Sequence, residues 1–261
     1  MRKTIIKQRK VMENNPGIDN SKCIIVRNVN KFFGSKHVLK EINWEIPHGR
    51  IYGLLGPSGC GKTTMVKIIA GILEATSGET YVLGQKMPKL SIMNKIGYMA
   101  QSDALYGSLT AKENLHFFGA IYGMSKAEIK NRTEEVMELV NLSADLYKPV
   151  QAFSGGMKRR LSLAMAIMHN PPVLVLDEPT VGIDPLLRKN IWEELDKLAK
   201  QGVTIIVTTH VMDEADKCHN IAMMRGGRLI AQGTSRELQD KIGVQSIEEA
   251  FIYYGGQQDE S

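Results

Sequence analysis

The chain has 261 residues, 43% hydrophobic and 23% charged, an ordinary globular composition with room for a sizeable core in one domain or two small ones. Its net charge of +5 is carried by the first ten residues, where Arg2, Lys3, Lys7, Arg9 and Lys10 stand without an acid; the 33 basic residues less these five equal the 28 acidic ones. The balanced remainder does not indicate a general basic surface for nucleic acid, and residues 1–22 read as a solvated basic tail or as a contact for anionic lipid.

No apolar run of about 7–15 residues follows the N-terminal charges, as a signal peptide requires, and no stretch approaches the ~20 apolar residues of a membrane span. A soluble chain is expected. Cys23, Cys60 and Cys218 lack metal-site pairing and are too few for a disulfide framework, which fits a reducing cytosol. There is no internal repeat and no low-complexity segment.

In chain order, "RIYGLLGPSGCGKTTMVKIIAGIL" (50–73) predicts an apolar strand, a glycine-rich turn and an amphipathic helix. Gly56, Gly59 and Gly61 let the backbone curl so that its N–H groups face a polyphosphate, while Lys62 reaches the terminal phosphates and Thr63 can ligate magnesium. The plain alternative is an ordinary turn between strand and helix. Among the lysine-bearing phosphate loops, a GTPase needs Asn-Lys-x-Asp to read guanine; "NKIG" at 94–97 has Gly97 in place of the Asp, which disfavours GTP. In "KIGYMAQSDALYG" (95–107) the Gln101 amide can hold a magnesium-bound water, or can simply lie in an exposed loop.

The sequence then turns helical. Thr110 with Glu113, and Ser125 with Glu128, form capping boxes that open two helices. Tyr106, Leu109, Leu115, Phe117, Phe118 and Tyr122, in and around the first of them, are expected in the core, and any that are exposed would instead form a groove for a partner's helix. "AFSGGMKRRLSLAMAIM" (152–168) predicts a helix capped by Ser154, with Gly155 and Gly156 leaving its first N–H groups bare. A helix N-terminus favours acids in its first turn, yet Lys158, Arg159 and Arg160 stand here, and at least two of them are expected to be merely solvated.

"NPPVLVLDEPTVGIDP" (170–185) ends an apolar strand with Asp177 and Glu178, placed to meet Mg²⁺ and the γ-phosphate or, more simply, to form a solvated turn. "GVTIIVTTHVMDEA" (202–215) supplies another buried strand, ending at His210, which reads as a packing residue taken alone and as a site residue at the same sheet edge. Asp184 before Pro185 caps the next helix, and "TSRE" (234–237) and "SIEE" (246–249) open two short C-terminal ones.

Taken together these motifs resemble the ATP-binding subunit of an ABC transporter, over nearly everything after about residue 22. The resemblance implies an α/β fold of the P-loop NTPase class, an ABC-type ATPase with a mixed-sheet catalytic core and an inserted helical lobe at about 102–160, within a domain spanning 23–245 and followed by a short C-terminal helix and tail at 246–261. It makes Phe33 the aromatic that stacks on adenine, and "GPSGCGKT" with the next threonine (Gly56, Pro57, Ser58, Gly59, Cys60, Gly61, Lys62, Thr63, Thr64) the Walker A phosphate cradle. Gln101 becomes the Q-loop glutamine, "FSGGM" the signature, "VLVLDE" the Walker B strand with Glu178 as catalytic base, "VGID" with Asp184 the D-loop, and His210 the switch histidine. Thr63, Gln101 and Asp177 are the implied Mg²⁺ ligands. In this family the signature of one subunit closes over ATP held by another, so Ser154, Gly155 and Gly156 would act in trans, in a homodimer or paired cassette around two ATP.

Two positions depart from the common signature: Met157 stands where Gln is usual and Phe153 where Leu is usual, which removes an amide but leaves the serine and glycines. "SGGM" followed by basic residues is similar to the exporter branch that serves drugs, antibiotics or lipids through a separate membrane permease. The implied protein is an ATP hydrolase bound peripherally on the cytoplasmic face of the cell membrane, with an integral membrane permease and no nucleic acid as partner. A soluble ATPase acting on nucleic acid or ribosomes, an importer subunit and a non-hydrolysing regulatory module are the competing readings. Beside the loop amides and Lys62, Cys60 is expected to be a reactive thiolate.

Overall fold

Within the strand Lys36–Pro47, burial alternates from Glu41 to Ile46, with Ile42, Trp44 and Ile46 inside and Glu41, Asn43 and Glu45 outside, as a half-solvated antiparallel strand requires; a bulge at Glu41, φ +52°, shifts the parity so that Leu39 is also inside. In the computed structural model, which describes residues 19, 21–102 and 104–257, this strand (β2) pairs with β1 (Lys22–Phe33). β4 (Ser77–Val82) lines the other side of β1, and β5 (Gln85–Lys86) completes an antiparallel sheet in the order β2-β1-β4-β5. The five basic residues of the N-terminal tail lie outside the described residues.

A second sheet has the order β10-β9-β3-β8-β7-β6, built from β3 (Ile51–Leu55), β6 (Ile96–Met99), β7 (Val173–Asp177), β8 (Thr204–Thr209), β9 (Asn220–Arg225) and β10 (Arg228–Gly233). All neighbours are parallel except β9 with β10, so the sheets together hold both pairings. β3, β7 and β8 are buried at every position, as continuous apolar strands covered on both faces must be. One core lies around α1 (Lys62–Ile69), where Met65, Val66 and Ile69 join Ile24, Leu54, Val175 and Ile206; this is the layer between the two sheets. A second core joins Leu55, Leu176 and Val207 to the helices on the other face.

Those helices are α3 (Ala111–Ile121), α4 (Lys126–Leu139) and α5 (Gly155–Ile167), all between β6 and β7 in sequence, together with α6 (Pro185–Lys200); α2 (Leu90–Met93), α7 (Met212–Ala215), α8 (Ser235–Asp240) and α9 (Ile247–Gly256) complete the set among the described residues. Both capping boxes form, Thr110 accepting from the Glu113 N–H and Ser125 from that of Glu128, and Thr234 with Glu237 makes a third. Ser246 caps α9.

Two expectations fail here. Leu115 is fully buried and Leu109, Phe118 and Tyr122 are partly so, but Tyr106 is 47% and Phe117 41% exposed. Residues two apart on a helix point to nearly opposite sides, so burying Leu115 turns Phe117 outward, where it packs edge-on against Tyr106 with ring centroids 5.0 Å apart. The cations of α5 are not mainly solvated either: Arg160 donates to the Val140 and Asn141 carbonyls at 3.0 and 2.7 Å, and Arg159 is only 7% exposed.

Candidate active site

The parallel strands β3, β8, β7 and β6 end at the same edge of the sheet, and the segment after each carries a polar group into one place. After β3, Gly56 is buried so tightly that a Cβ there would sit 2.3 Å from the Met224 carbonyl oxygen, which admits glycine alone. Pro57, Ser58 and Gly59 are exposed, while Cys60 and Gly61 are buried. Gly61 takes φ +113° to turn the chain into α1, whose first turn has neither an acid nor a capping side chain. Its opening N–H groups, with Thr63 and Thr64 half-buried beside them, are therefore disposed for an anion. Lys62 donates to the Gly56 and Pro57 carbonyls at 2.7 and 3.0 Å, and its Nζ lies 3.9 Å from Glu178 Oε1.

At the end of β7, Asp177 is fully buried: one oxygen accepts from the Thr208 hydroxyl at 2.5 Å, and Oδ2 has no hydrogen-bond partner. Glu178 adopts φ +53°, a left-handed conformation that costs a non-glycine residue about 1–2 kcal/mol. Thr208 holds it there, its carbonyl and hydroxyl accepting from the Glu178 N–H at 3.2 and 3.0 Å. The carboxylate then meets three groups from three segments: His210 Nδ1 at 3.1 Å, Gln101 Nε2 at 3.5 Å and Lys62 Nζ at 3.9 Å. A carboxylate so placed, beside an imidazole and the lysine of the phosphate loop, is suited to accept a proton from water attacking a phosphoryl group.

The thiol of Cys60 corrects an expectation. Burial pushes its pKa up, outweighing the pull of Lys62, so the side chain is a protonated, packed thiol. The loop amides and a nearby cation favour a thiolate only where they compensate its desolvation, and at Cys60, 7% exposed, burial is the larger effect.

The other sequence-predicted residues stand apart from this cluster. Phe33 ends β1 half-exposed, with Lys31 Nζ 5.0 Å from its ring centroid. Ser154 caps α5 by accepting from the Met157 N–H at 3.3 Å; Gly155 has open space around it, and Gly156 faces the Gly182 carbonyl. Asp184 caps α6 by accepting from the Leu187 N–H at 3.0 Å. Among the described residues none of these five shares a hydrogen bond with Lys62, Gln101, Asp177, Glu178 or His210.

Four supporting side chains escape the sequence reading. Thr208 holds both acids. Glu214, 2% exposed, accepts from the hydroxyls of Thr180 and Thr209, bracing the segments that follow Glu178 and precede His210. Asn114 is fully buried and ties down the 106–110 loop, accepting from the Tyr106 N–H at 2.9 Å and donating to the Tyr106 and Thr110 carbonyls. Arg159 donates to the carbonyls of Ala100, Gln101, Asp177 and Glu178. No local signal marks it, because the helix is buried all round from Leu161 to Ile167 and its period does not single out Arg159.

A family model described as ABC transporter matches residues 39–181. The chain is 40% identical over 238 residues to the linearmycin resistance ATP-binding protein LnrL of Bacillus subtilis (strain 168), covering 86% of this chain and 76% of that protein. It is 38% identical over 243 residues to the probable multidrug ABC transporter ATP-binding protein YbhF of Escherichia coli (strain K12), covering 90% of this chain and 42% of that one. Against the Nod factor export ATP-binding protein I of Cupriavidus metallidurans, identity is 37% over 227 residues, with 85% and 75% covered. Among solved structures it superposes on an ATP-binding subunit of an ABC transporter with a TM-score of 0.83 at 26% identity, covering 89% of this chain and 99% of that one. A dimeric ATP-binding cassette in a post-hydrolysis state bound to ADP and Pi gives 0.76 at 30% identity, with 81% and 98% covered. Sequence and fold thus agree, and the chain belongs to the ABC transporter family as one of its ATP-hydrolysing cassettes.

Proposed function

We propose that the chain is the ATPase subunit of an exporter, binding MgATP between two cassettes and passing the work of hydrolysis to a separate membrane permease. The observation that carries this reading is the Glu178 carboxylate within 3.1–3.9 Å of His210, Gln101 and Lys62 at one sheet edge. In the proposed mechanism Phe33 stacks on adenine, the amides of residues 56–64 with Lys62 hold the phosphates, and Glu178 takes the proton of the attacking water while His210 steadies it. A magnesium ion fits the residues present: the orphaned, buried Asp177 Oδ2 calls for a cation, and the Thr63 hydroxyl and Gln101 amide oxygen are hard donors suited to it. When bound, such an ion neutralises charge developing on the β- and γ-phosphates. Ser154, Gly155 and Gly156, exposed or half-exposed at the start of α5, are disposed to complete a partner's site, and the dimeric cassette among the structural neighbours supports that arrangement.

For the permease, the support is a cleft beside the Gln101 loop lined by Ala100, Ala104, Phe118, Tyr122 and Met165, with Tyr106 and Phe117 exposed near it. An amphipathic helix from a membrane subunit fits such a groove. No helix among the described residues is long and apolar enough to cross a membrane. In this reading the partner supplies the transport path, and the cassette works from the cytoplasmic face of the membrane. Relatives named for drug resistance and Nod factor export support the outward direction.

The test is Glu178→Gln, which keeps shape and loses the proton acceptor. Phosphate release is expected to fall by about 10²–10⁴-fold, with MgATP still bound and a MgATP-dependent dimer persisting on size-exclusion chromatography. Turnover within about twofold of the parent, with no such dimer, overturns the assignment.

A further inference from the structure

The side chain that joins most of the site's segments carries none of its proposed chemistry. Arg159 lies in the first turns of α5, 7% exposed, and its guanidinium points into the ends of two strands. Nη1 donates to the carbonyls of Ala100 and Gln101 at 2.7 and 2.9 Å, just past β6. Nε and Nη2 donate to the Glu178 carbonyl at 3.2 and 2.6 Å, and Nη2 also to that of Asp177, at the end of β7. Main-chain carbonyls beyond a strand end lose the regular ladder and need other donors when buried, and one planar fork supplies them in two segments at once.

We propose that Arg159 is a positioning residue for hydrolysis: it fixes the Glu178 and Gln101 main chains against the helix that begins at Ser154, so that the catalytic geometry exists only while α5 is seated. This rests on the reading of Glu178 as the base. The left-handed backbone of Glu178 persists only where its surroundings impose it, and it is pinned on both sides, through its N–H by Thr208 and through its carbonyl by Arg159. The carboxylate contacts it controls, at 3.5 Å to Gln101 and 3.9 Å to Lys62, are already at the long end of their ranges, so a shift of a few tenths of an ångström breaks them. A movement of α5 on engaging a partner's nucleotide is thereby transmitted to the chain's own base and glutamine through a single rigid side chain. Lysine, a point charge with three donors and no planar fork, reproduces only part of this.

The experiment is a double-mutant cycle on the full chain, reading KM, kcat and single-turnover phosphate release for Arg159→Met, Glu178→Gln and the pair. Arg159→Met is expected to lower kcat about 10–100-fold with KM within about threefold, and to cost less than about twofold further in the Glu178→Gln background, because its effect passes through the carboxylate already removed. A merely structural residue gives equal losses in both backgrounds, or a raised KM with unchanged kcat, and either result overturns the proposal. Should Arg159→Met fail to fold, Arg159→Lys carries the same cycle with an expected loss of about 3–10-fold in kcat. Failure of both to fold makes Arg159 a structural strut and also overturns the proposal. If Glu178→Gln alone turns over like the parent, the base assignment falls and the coupling with it; if it is slow but Arg159→Met costs a further tenfold or so on top of it, only the coupling falls.

Discussion

Acidification below pH 6.5 bears most heavily on a side chain at the far end of the signature helix, the histidine whose pKa burial lowers to about 4. His169 follows α5, its ring stacked on Tyr122 with centroids 3.6 Å apart and both nitrogens buried. Burial brings its pKa down from 6.5 to about 4; the Ile96 main chain offsets part of the effect and Arg132 adds to it. The unfolded chain therefore takes up a proton below about pH 6.5 that the folded chain refuses until about pH 4. The stability this neutral ring confers is complete above pH 6.5 and drains away as pH falls through that window. At pH 5 the loss amounts to about 2 kcal/mol, which for a chain of this size is about 4–8 °C in Tm. His169→Phe keeps a flat ring against Tyr122 and removes the titration. Thermal melts followed by circular dichroism at pH 7.5 and pH 5.0 are expected to show the parent losing about 4–8 °C more than the variant. Parallel losses in the two proteins refute the reasoning, since they place the acid sensitivity elsewhere.

Cys60, buried with a raised pKa, is expected to react with a maleimide at pH 7 at less than about a tenth of the rate of free cysteine, read by mass spectrometry of the labelled peptide; free-thiol kinetics at Cys60 would show the loop to be open. If each site is shared between two cassettes, phosphate release per subunit should rise with protein concentration before saturating, and Ser154→Arg chains should poison parent chains on mixing; specific activity flat across the monomer–dimer range contradicts shared sites. Asn114→Leu strands the Tyr106 N–H and carbonyl and the extra contact to the Thr110 carbonyl, so Tm should drop by about 5–10 °C, whereas a drop under about 2 °C means the 106–110 loop is held by other contacts.

The site was legible in the sequence where local chemistry marks it. Asp177 and Glu178 end an apolar run, glycines and Lys62 sit between a strand and a helix, and Thr110, Ser125 and Thr234 meet their glutamates three residues on, all within a few positions of chain. What stayed hidden depends on partners distant in sequence. Arg159 looks solvated because a cation next to a helix start has no local reason to be buried; its carbonyl partners arrive from 18 to 59 residues away. Glu214 finds Thr180 from 34 residues away, and Phe117 is aromatic enough to suggest core, yet Leu115 takes the inward face of that helix. The error over Cys60 has the same origin, since the nearby amides and lysine are readable in the sequence and the burial of the thiol in the fold is not.

The strand order has a consequence for how the protein is made. β3 carries the phosphate loop, yet the neighbour that flanks it on the catalytic side is β8, in register from Ile51 opposite Ile205. At 5–20 residues per second, a ribosome releases the second of these about 8–30 s after the first. During that interval an apolar strand meant for burial on both faces waits for its partner through the whole of α3, α4 and α5. Long-range parallel pairing of this kind folds slowly and is vulnerable to aggregation. The contact between Lys62 and Glu178 therefore closes only after the segments that form α3, α4 and α5 have been made, so the phosphate loop is synthesised well before the carboxylate that faces it in the finished protein.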